Sequence, residues 1–503
     1  MNFLSNLNAM QNLFKNEKLQ KLIEYLRNEI QGTYFEGHVY LVGGVVRDAF
    51  LGKASKDVDI VVDIPNGGVG FANFIAFKNG CHVSNKNPVI FPTYGTAKFQ
   101  LLNSPEFSDI EIECVHTRKE QYHSDSRNPS TAFGTIEDDA MRRDLTINSL
   151  YYNISTSEIH DYCGFGLSDL KNHIIRTPSN PNTIFSDDPL RILRTIRFAT
   201  RFNWGIEKDT WMGMIQNAHR ILIVSQERIT DEINKILVTD KPSVGIRRML
   251  NCNKLLEYVM PGIAYQAHVY QSMAPKVTLF EHTLQVLDKI EPTLEYRLAA
   301  LYHDIGKIVT YKKNFAFHAT VGSELTGRLM KIMKYPNKTI SNVSTAISLH
   351  EVFSGYRLKE HPSKKMLRKF KSLSGESYDL TLALIDANNK CQCDKSKTNQ
   401  IDYVRKKIAE LEEKEKNNLS KIKLPINGKD IMQVFSIKSG PIIGRLLKKI
   451  KDAYFEDPTI TREKCLELIE ICSELDPFNY YGDIKQGFLN EENIFKLRWR
   501  VNA

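Results

Sequence analysis

Long hydrophobic runs are missing from this 503-residue chain. No stretch approaches the roughly 20 apolar residues that a membrane-crossing helix needs, so a helical membrane protein is excluded and no membrane partner is expected. The N-terminus carries no basic segment ahead of an apolar core, so a secretory signal is not expected either. Met1 to Phe14 is uncharged, as a weak transit sequence would be, but the favoured reading is an amphipathic helix continuing toward Ile30. Cysteines are few: eight are scattered along the chain, and Cys391-x-Cys393 is the one close pair. No second pair or neighbouring histidine completes a zinc set, which excludes a zinc module and a disulfide scaffold. Eight reduced thiols in a cytoplasmic protein are the expectation. Internal repeats and long low-complexity tracts are absent as well.

What is present is the composition of a soluble, several-domain protein, 42% hydrophobic and 25% charged. The net charge of +9 is mild, but it is unevenly placed. Residues 351–450 hold 22 Lys/Arg against 12 Asp/Glu and so account for the whole excess. A basic region of this kind points to a nucleic-acid partner. The periodicity divides the chain into a helix over 1–30, a mixed α/β segment over 31–155, helices over 156–262, a second helical block over 278–392 and a basic helical tail over 401–503. Within the α/β segment, His38–Val42, Val58–Val62, Thr96–Leu102, Ile110–Val115 and Ser149–Ile154 read as strands. Residues 262–277 and 390–400 read as connections. Pro189 suits a first helical turn, with Ser186 or Asp187 as its N-cap.

The chemistry concentrates in short segments. Leu41-Val42-Gly43-Gly44-Val45-Val46-Arg47-Asp48 is a glycine turn followed by an arginine, and Asp57-Val58-Asp59 heads an apolar run. Residues i and i+2 of a strand face one way, so Asp57 and Asp59 are placed to share Mg²⁺ ions, which favour carboxylate and phosphate oxygens. The glycine turn allows backbone N–H groups to approach a triphosphate. Glu113, in Ile110-Glu111-Ile112-Glu113-Cys114-Val115, is a candidate third carboxylate. Arg142-Arg143-Asp144-Leu145-Thr146-Ile147-Asn148 offers donors for a triphosphate and a ribose. In Asp187-Asp188-Pro189-Leu190-Arg191-Ile192-Leu193-Arg194-Thr195-Ile196-Arg197, three-residue spacing places Asp188, Arg191, Arg194 and Arg197 in one row on a helix, able to hydrogen-bond a base edge or to serve as a salt-bridged face.

In this order, with Tyr94-Gly95-Thr96-Ala97 and Ser225-Gln226-Glu227-Arg228-Ile229-Thr230-Asp231-Glu232, the segments resemble class II tRNA nucleotidyltransferases, the family of CCA-adding enzymes and bacterial poly(A) polymerases. The resemblance runs densely over about residues 36–262. It implies an α+β fold: a small DNA polymerase beta-like head, a helical neck and body over 156–262, and helical domains beyond. It implies Asp57 and Asp59 as metal-binding carboxylates, Gly44, Arg47 and Arg143 as nucleotide contacts, and Asp188, Arg191, Arg194 and Arg197 as the row that selects CTP or ATP. Mg²⁺, tRNA, CTP and ATP follow as cofactor, partner and substrates. His123–Asp138 resembles the flexible loop such enzymes need when they switch to ATP.

Phe280-Glu281-His282-Thr283 and Leu301-Tyr302-His303-Asp304-Ile305-Gly306-Lys307 resemble the HD superfamily of metal-dependent phosphohydrolases. That resemblance implies a second divalent metal, with His282, His303, Asp304, His318, His350 and Asp386 as ligands, in an HD domain over 278–392. Gly440-Pro441-x-x-Gly444-Arg445 resembles the tail of some bacterial members. The expected function is addition or repair of the tRNA 3′-terminal CCA, with phosphohydrolase action on tRNA ends. The rivals are a poly(A) polymerase, an enzyme adding CC or A alone, an HD phosphodiesterase whose head only binds RNA, and a non-catalytic tRNA-binding scaffold.

Overall fold

In the computed structural model, residues 16–467 are described except for 54–56, 81–86, 93–94, 124–125, 271–276, 312–314, 355–361, 392–399, 419–423, 436–442, 444–445, 448–449, 451–452 and 454–459. Only the backbone is described at 120–131, 400, 414–418 and 434–435. The expected helix at residues 1–15, Cys393, Tyr94, Gly444 and Arg445 lie outside the described positions. The chain divides into two compact units, Met1–Ala264 and Tyr265–Ala503.

The first unit is built on a seven-stranded sheet ordered β3-β4-β5-β2-β1-β8-β9. Its strands are β1 (Val39–Val42), β2 (Asp57–Val62), β3 (Val89–Phe91), β4 (Thr96–Phe99), β5 (Glu111–His116), β8 (Leu150–Asn153) and β9 (Ile159–Asp161). All five strands expected from the sequence are found within a residue or three of their predicted limits, and β3 and β9 add to them. Within this sheet, only β2 and β5 pair in parallel. Period-two alternation assigns the two faces. Val39, Leu41, Val58, Ile60, Val62, Ile112 and Cys114 turn into the main core, with the helices Glu17–Ile30 and Gly67–Lys78. Tyr40, Val42, Val61 and Tyr151 turn to the other face, which is covered by Ile136 and Ala140. Asp57 and Asp59 stand in step with Val61, so they open onto this second face at the head of β2.

Of the segment His123–Asp138, expected as a flexible loop, most described residues fall in regular elements. β6 (Arg118–His123) and β7 (Ser126–Phe133) form an antiparallel hairpin, and the helix Ile136–Met141 follows. Thr135 and Asp138 form a capping box at the start of that helix. From residue 181 the unit is mainly helical. The helix Leu190–Phe202 packs against Gln226–Leu237 and Pro242–Asn251.

The second unit is helical in its described part, apart from an isolated bridge between Tyr270 and Thr278. The stretch expected to link the two is partly regular, with the helix Pro261–Tyr265 and a tight turn over Gln266–His268. The helices that matter for chemistry are Leu279–Lys289, Leu294–Tyr302, His318–Ile332, Asn337–Leu349 and Tyr378–Cys391. No described helix is long and apolar enough to cross a membrane, and the five described cysteines are free thiols.

Candidate functional site

The acidic site lies at one end of the sheet. Register places Asp57 beside Glu111, Asp59 beside Glu113, Val42 beside Asp59, and Lys98 beside Glu113. Four carboxylates therefore share one face. Lys98 Nζ answers two of them, 3.0 Å from Glu111 and 3.1 Å from Glu113. Glu113 is thus turned to a lysine, and among the described residues it does not gather with Asp57 and Asp59 into a three-ligand group. Asp59 is half-buried. Burial raises its pKa, and Glu113 and Asp57 add to the rise against the pull of Arg143. Like charges crowded in a partly dry site are what a divalent cation would neutralise, so the donor set fits such an ion.

Gly43 closes β1 beside Asp59. Its φ is 72°, and a Cβ there would sit 3.2 Å from Asp59 Oδ2 and 3.8 Å from Arg143 Nη1. Both the backbone and the close approach require glycine. Gly44 then starts the helix Gly44–Phe50.

The motifs that lie far apart in sequence meet in one polar chain. Arg47 is buried. It donates to Asp48 from Nε (2.8 Å) and to Asn148 from Nη1 (2.6 Å), and its Nη2 pairs with Asp48 at 2.8 Å. Its guanidinium also lies over Phe198 and Phe202, at 4.9 and 5.3 Å. Asn148 donates to Asp144 (3.0 Å), and Arg194 grips Asp144 Oδ2 from Nε and Nη2 at 2.9 and 2.6 Å. Arg197 donates to the buried Glu232 (2.6 Å). Arg47 and Asn148, which the sequence offers as nucleotide contacts, are also tied to each other within this chain.

The expected row is also modified. Asp188 lies in extended conformation between the helices Pro181–Asp187 and Leu190–Phe202 and accepts from Leu190 N at 3.2 Å, while Ser186 and Asp187, expected as N-cap, belong to the preceding helix. Its other oxygen pairs with Arg228 (3.2 Å). Arg191 is buried and donates to Ile184 O (3.4 Å), so only Arg194 and Arg197 keep partly open guanidinium groups.

Asp144 is buried. Burial opposes its ionisation, but Arg194 and Asn148 outweigh that and hold its carboxyl far below the usual range. A carboxyl depressed in the folded state contributes stability above its unfolded value of about 3.9, and that stability is lost as the pH falls through the folded value. D144N should therefore destabilise the protein at pH 7 by about 2 kcal/mol, allowing for solvent around Arg194. The gap from wild type should begin to narrow as pH falls below about 4. Calorimetric Tm values from pH 7 to pH 3 measure both effects.

A second constellation lies in the other unit. His282, His303 and Asp304 form one buried group of donors within 4.8 Å of one another, and Asp304, His318 and His350 form another. Asp304 bridges them. Its Oδ2 is 3.2 Å from His303 Nε2 and 3.6 Å from His282 Nε2, and its Oδ1 is 3.3 Å from His318 Nε2 and 3.6 Å from His350 Nε2. Nδ1 of His303, His318 and His350 each meets a backbone carbonyl three residues back, at 2.8, 2.9 and 2.6 Å. That fixes Nδ1 as donor and leaves Nε2 aimed inward as a lone pair.

Local sequence explains the placement. Thr278 caps the helix that carries His282. A Cβ on Gly306 would meet His318 O at 2.1 Å, so glycine lets the helix His318–Ile332 approach the His303-Asp304 turn.

Asp304 Oδ1, His318 Nε2 and His350 Nε2 are buried without a hydrogen-bond partner. Burial lowers the His282 pKa to about 3, with His303 adding to it, and burial lowers His350. His318 is raised, because Asp304 overcomes the effect of burial. Orphaned inward nitrogens of His318 and His350, the second held neutral by burial, beside the unpartnered Asp304 Oδ1 fit a divalent metal. Asp386 is not part of the cluster: it faces outward and pairs with Lys390 (2.7 Å). The buried face of its helix presents Asn388 and Asn389 instead. Sequence reasoning assigned no role to Lys307, which donates to Asp304 Oδ2 (2.8 Å), or to Glu351, 3.6 Å from His318. The proximity of both to assigned histidines in the sequence was the available signal.

Comparison with known proteins covers both units. Residues 39–176 match the Poly A polymerase head domain, 203–266 the probable RNA and SrmB-binding site of polymerase A, and 314–469 the putative tRNA nucleotidyltransferase domain 2. The chain is 27% identical over 492 residues to the mitochondrial CCA tRNA nucleotidyltransferase of Saccharomyces cerevisiae, covering 85% of this chain and 86% of that protein. It is 30% identical over 346 residues to the Multifunctional CCA protein of Vibrio parahaemolyticus, covering 66% of this chain and 80% of the relative. The CCA-adding enzyme of Bacillus stearothermophilus, solved with CTP, shares the fold with a TM-score of 0.60 at 19% identity, over 91% of this chain and 99% of that one.

Proposed function

The chain belongs to the tRNA nucleotidyltransferase family that contains the CCA-adding enzymes, and from that premise we propose that it adds CCA to the 3′ end of tRNA from CTP and ATP. The observation that carries the reading is the pair Asp57 and Asp59 at the head of β2, beside the Gly43 turn and Arg143. The family uses divalent metal ions, and we assign Mg²⁺ here. Bound by these carboxylates, the ions would lower the pKa of the RNA 3′-hydroxyl and stabilise the pyrophosphate leaving group. The protein's own part is positioning and charge. Backbone N–H groups of the glycine turn and the Arg143 guanidinium take the triphosphate, and the helix Leu190–Phe202 presents Arg194 and Arg197 to the base. Asp188 and Arg191 would join them by exchanging their present partners.

The single most telling experiment is sequencing of the 3′ ends made from tRNA lacking its terminus when all four NTPs are supplied. CCA ends are expected. A-tracts, added equally to generic RNA, would point to poly(A) synthesis instead.

For the second unit we propose a divalent-metal phosphohydrolase site on His282, His303, Asp304, His318 and His350, acting on phosphorylated tRNA ends. Support comes from the orphaned inward atoms of Asp304, His318 and His350. We further propose the division into head, neck and body, HD domain and tail, and a cytoplasmic site of action. The name of the yeast relative carries the word mitochondrial, so a tagged copy located by microscopy would decide the compartment.

The helix Lys364–Ser374 contains Lys364, Lys365, Arg368, Lys369 and Lys371 and no acidic residue, while Leu367 and Phe370 fill the core. Two of the lysines stand in the first turn, where the helix dipole disfavours cations, so RNA phosphates are the better account of them. Changing Lys364, Lys365 and Lys369 together to Gln should weaken tRNA binding. It should also flatten the slope of log K against log salt by about 2, as measured by filter binding.

A further inference from the structure

We propose that Asp139 is the positioning residue of the nucleotidyl-transfer site, holding Arg143 so that one nitrogen of its guanidinium stays turned toward the incoming triphosphate. The inference rests on the nucleotidyl-transfer reading and deepens it. Asp139 is fully buried in the short helix Ile136–Met141. Its Oδ1 accepts from Nε (3.0 Å) and Nη2 of Arg142. Its Oδ2 accepts from Nε (3.2 Å) and Nη2 (2.9 Å) of Arg143 and from the hydroxyl of Tyr151 (2.7 Å). Arg143 Nε also donates to the Tyr151 hydroxyl at 3.0 Å, and its guanidinium lies 5.3 Å from the centre of the Tyr151 ring.

Two of the three nitrogens of Arg143 are therefore engaged inside the protein. The third, Nη1, has no hydrogen bond to a described residue. It lies at the Gly43 turn, 3.8 Å from where a Cβ would stand, and Asp59 Oδ2 lies 3.2 Å from the same point. The planar fork of arginine makes this division of labour geometric: fixing one edge aims the other. An arginine already held in place loses little freedom when an anion arrives. Arg142 extends the lock, since its Nε also donates to Arg118 O (3.1 Å), at the base of the β6–β7 hairpin.

The charges are consistent with a lock. Burial opposes the ionisation of Asp139, but Arg143 and Arg142 reverse this and keep it anionic. One carboxylate against two guanidiniums leaves the assembly cationic, as an anion site requires.

The test is a double-mutant cycle on the full chain, with tRNA lacking its 3′ end as primer and CTP as the varied substrate. D139N should raise the KM for CTP about tenfold, with kcat at saturating CTP changed no more than about threefold, and Y151F should raise KM a few-fold. In an R143M background neither change should raise KM further, because the side chain they position is gone. If D139N does not fold, Y151F completes the cycle alone. Full, additive effects in the R143M background, or a fall in kcat at unchanged KM, would overturn the proposal. A wild-type protein that adds no nucleotide to the primer would instead reject the nucleotidyl-transfer reading beneath it.

Discussion

Replacing Asp57 and Asp59 together by Ala is expected to abolish nucleotide addition, a loss of at least about a thousandfold, while the Tm stays close to that of wild type. The rate should vanish because charge stabilisation at the reacting phosphate is commonly the largest catalytic contribution, and here two side chains supply the ligands for it. The fold should persist because neither side chain belongs to a core. Asp57 is exposed, and Asp59 is half-buried, its pKa raised first by burial and then by the neighbouring Glu113 and Asp57. Removing that repulsion relieves the folded state. Single-turnover addition of labelled CTP, measured beside circular dichroism melting, separates the two quantities. Addition that survives the double change would remove these residues from the chemistry.

His303→Ala carries the second large effect. Its imidazole is completely buried between His282 and Asp304. Its loss takes one ligand from the first group and loosens the carboxylate that both groups share. Metal content after dialysis should fall from about one ion per chain to a small fraction of that, and hydrolysis of a 2′,3′-cyclic phosphate should fall at least a hundredfold. Addition of CTP and ATP should continue at the wild-type rate, because the carboxylate pair of β2 belongs to a separate compact unit. Elemental analysis of the purified chain and phosphate release on a cyclic-phosphate RNA measure the losses. Unchanged metal content and turnover would discard the histidine assignment.

Much of this was legible in the sequence where chemistry and period coincide. The Asp-x-Asp spacing fixed a shared face as soon as β2 was recognised, and Gly43-Gly44 announced a turn that only glycine fits. The His-Asp pair, with histidines upstream and downstream, led to both donor groups. Long-range partners were not legible. The fold brings Asn148 to Arg47 across about 100 positions, a pairing that neither motif announces. Asp188 looks like a member of a helical row, but it stands in extended conformation before Pro189, outside the helix. Asp386 was misjudged because a three-to-four residue period does not by itself say which face of the helix Tyr378–Cys391 is buried; the packing selected Asn388 and Asn389. The hairpin at 118–133 was hidden by polar composition, since a two-stranded ribbon satisfies its backbone without a continuous apolar face. Asp139 was overlooked for a different reason. It precedes Arg142 and Arg143 by three and four residues, the spacing at which helical side chains meet, yet its value depends on Tyr151 arriving from β8.

The account as a whole depends on divalent ions being gripped by two carboxylates at the head of one strand. The most direct measurement is anomalous scattering from crystals of the protein soaked with Mn²⁺ and CTP. A manganese peak within about 2.2 Å of oxygens from both Asp57 and Asp59, beside the triphosphate, is the predicted result. CTP bound with no peak there, or with the two carboxylates turned apart, would contradict it.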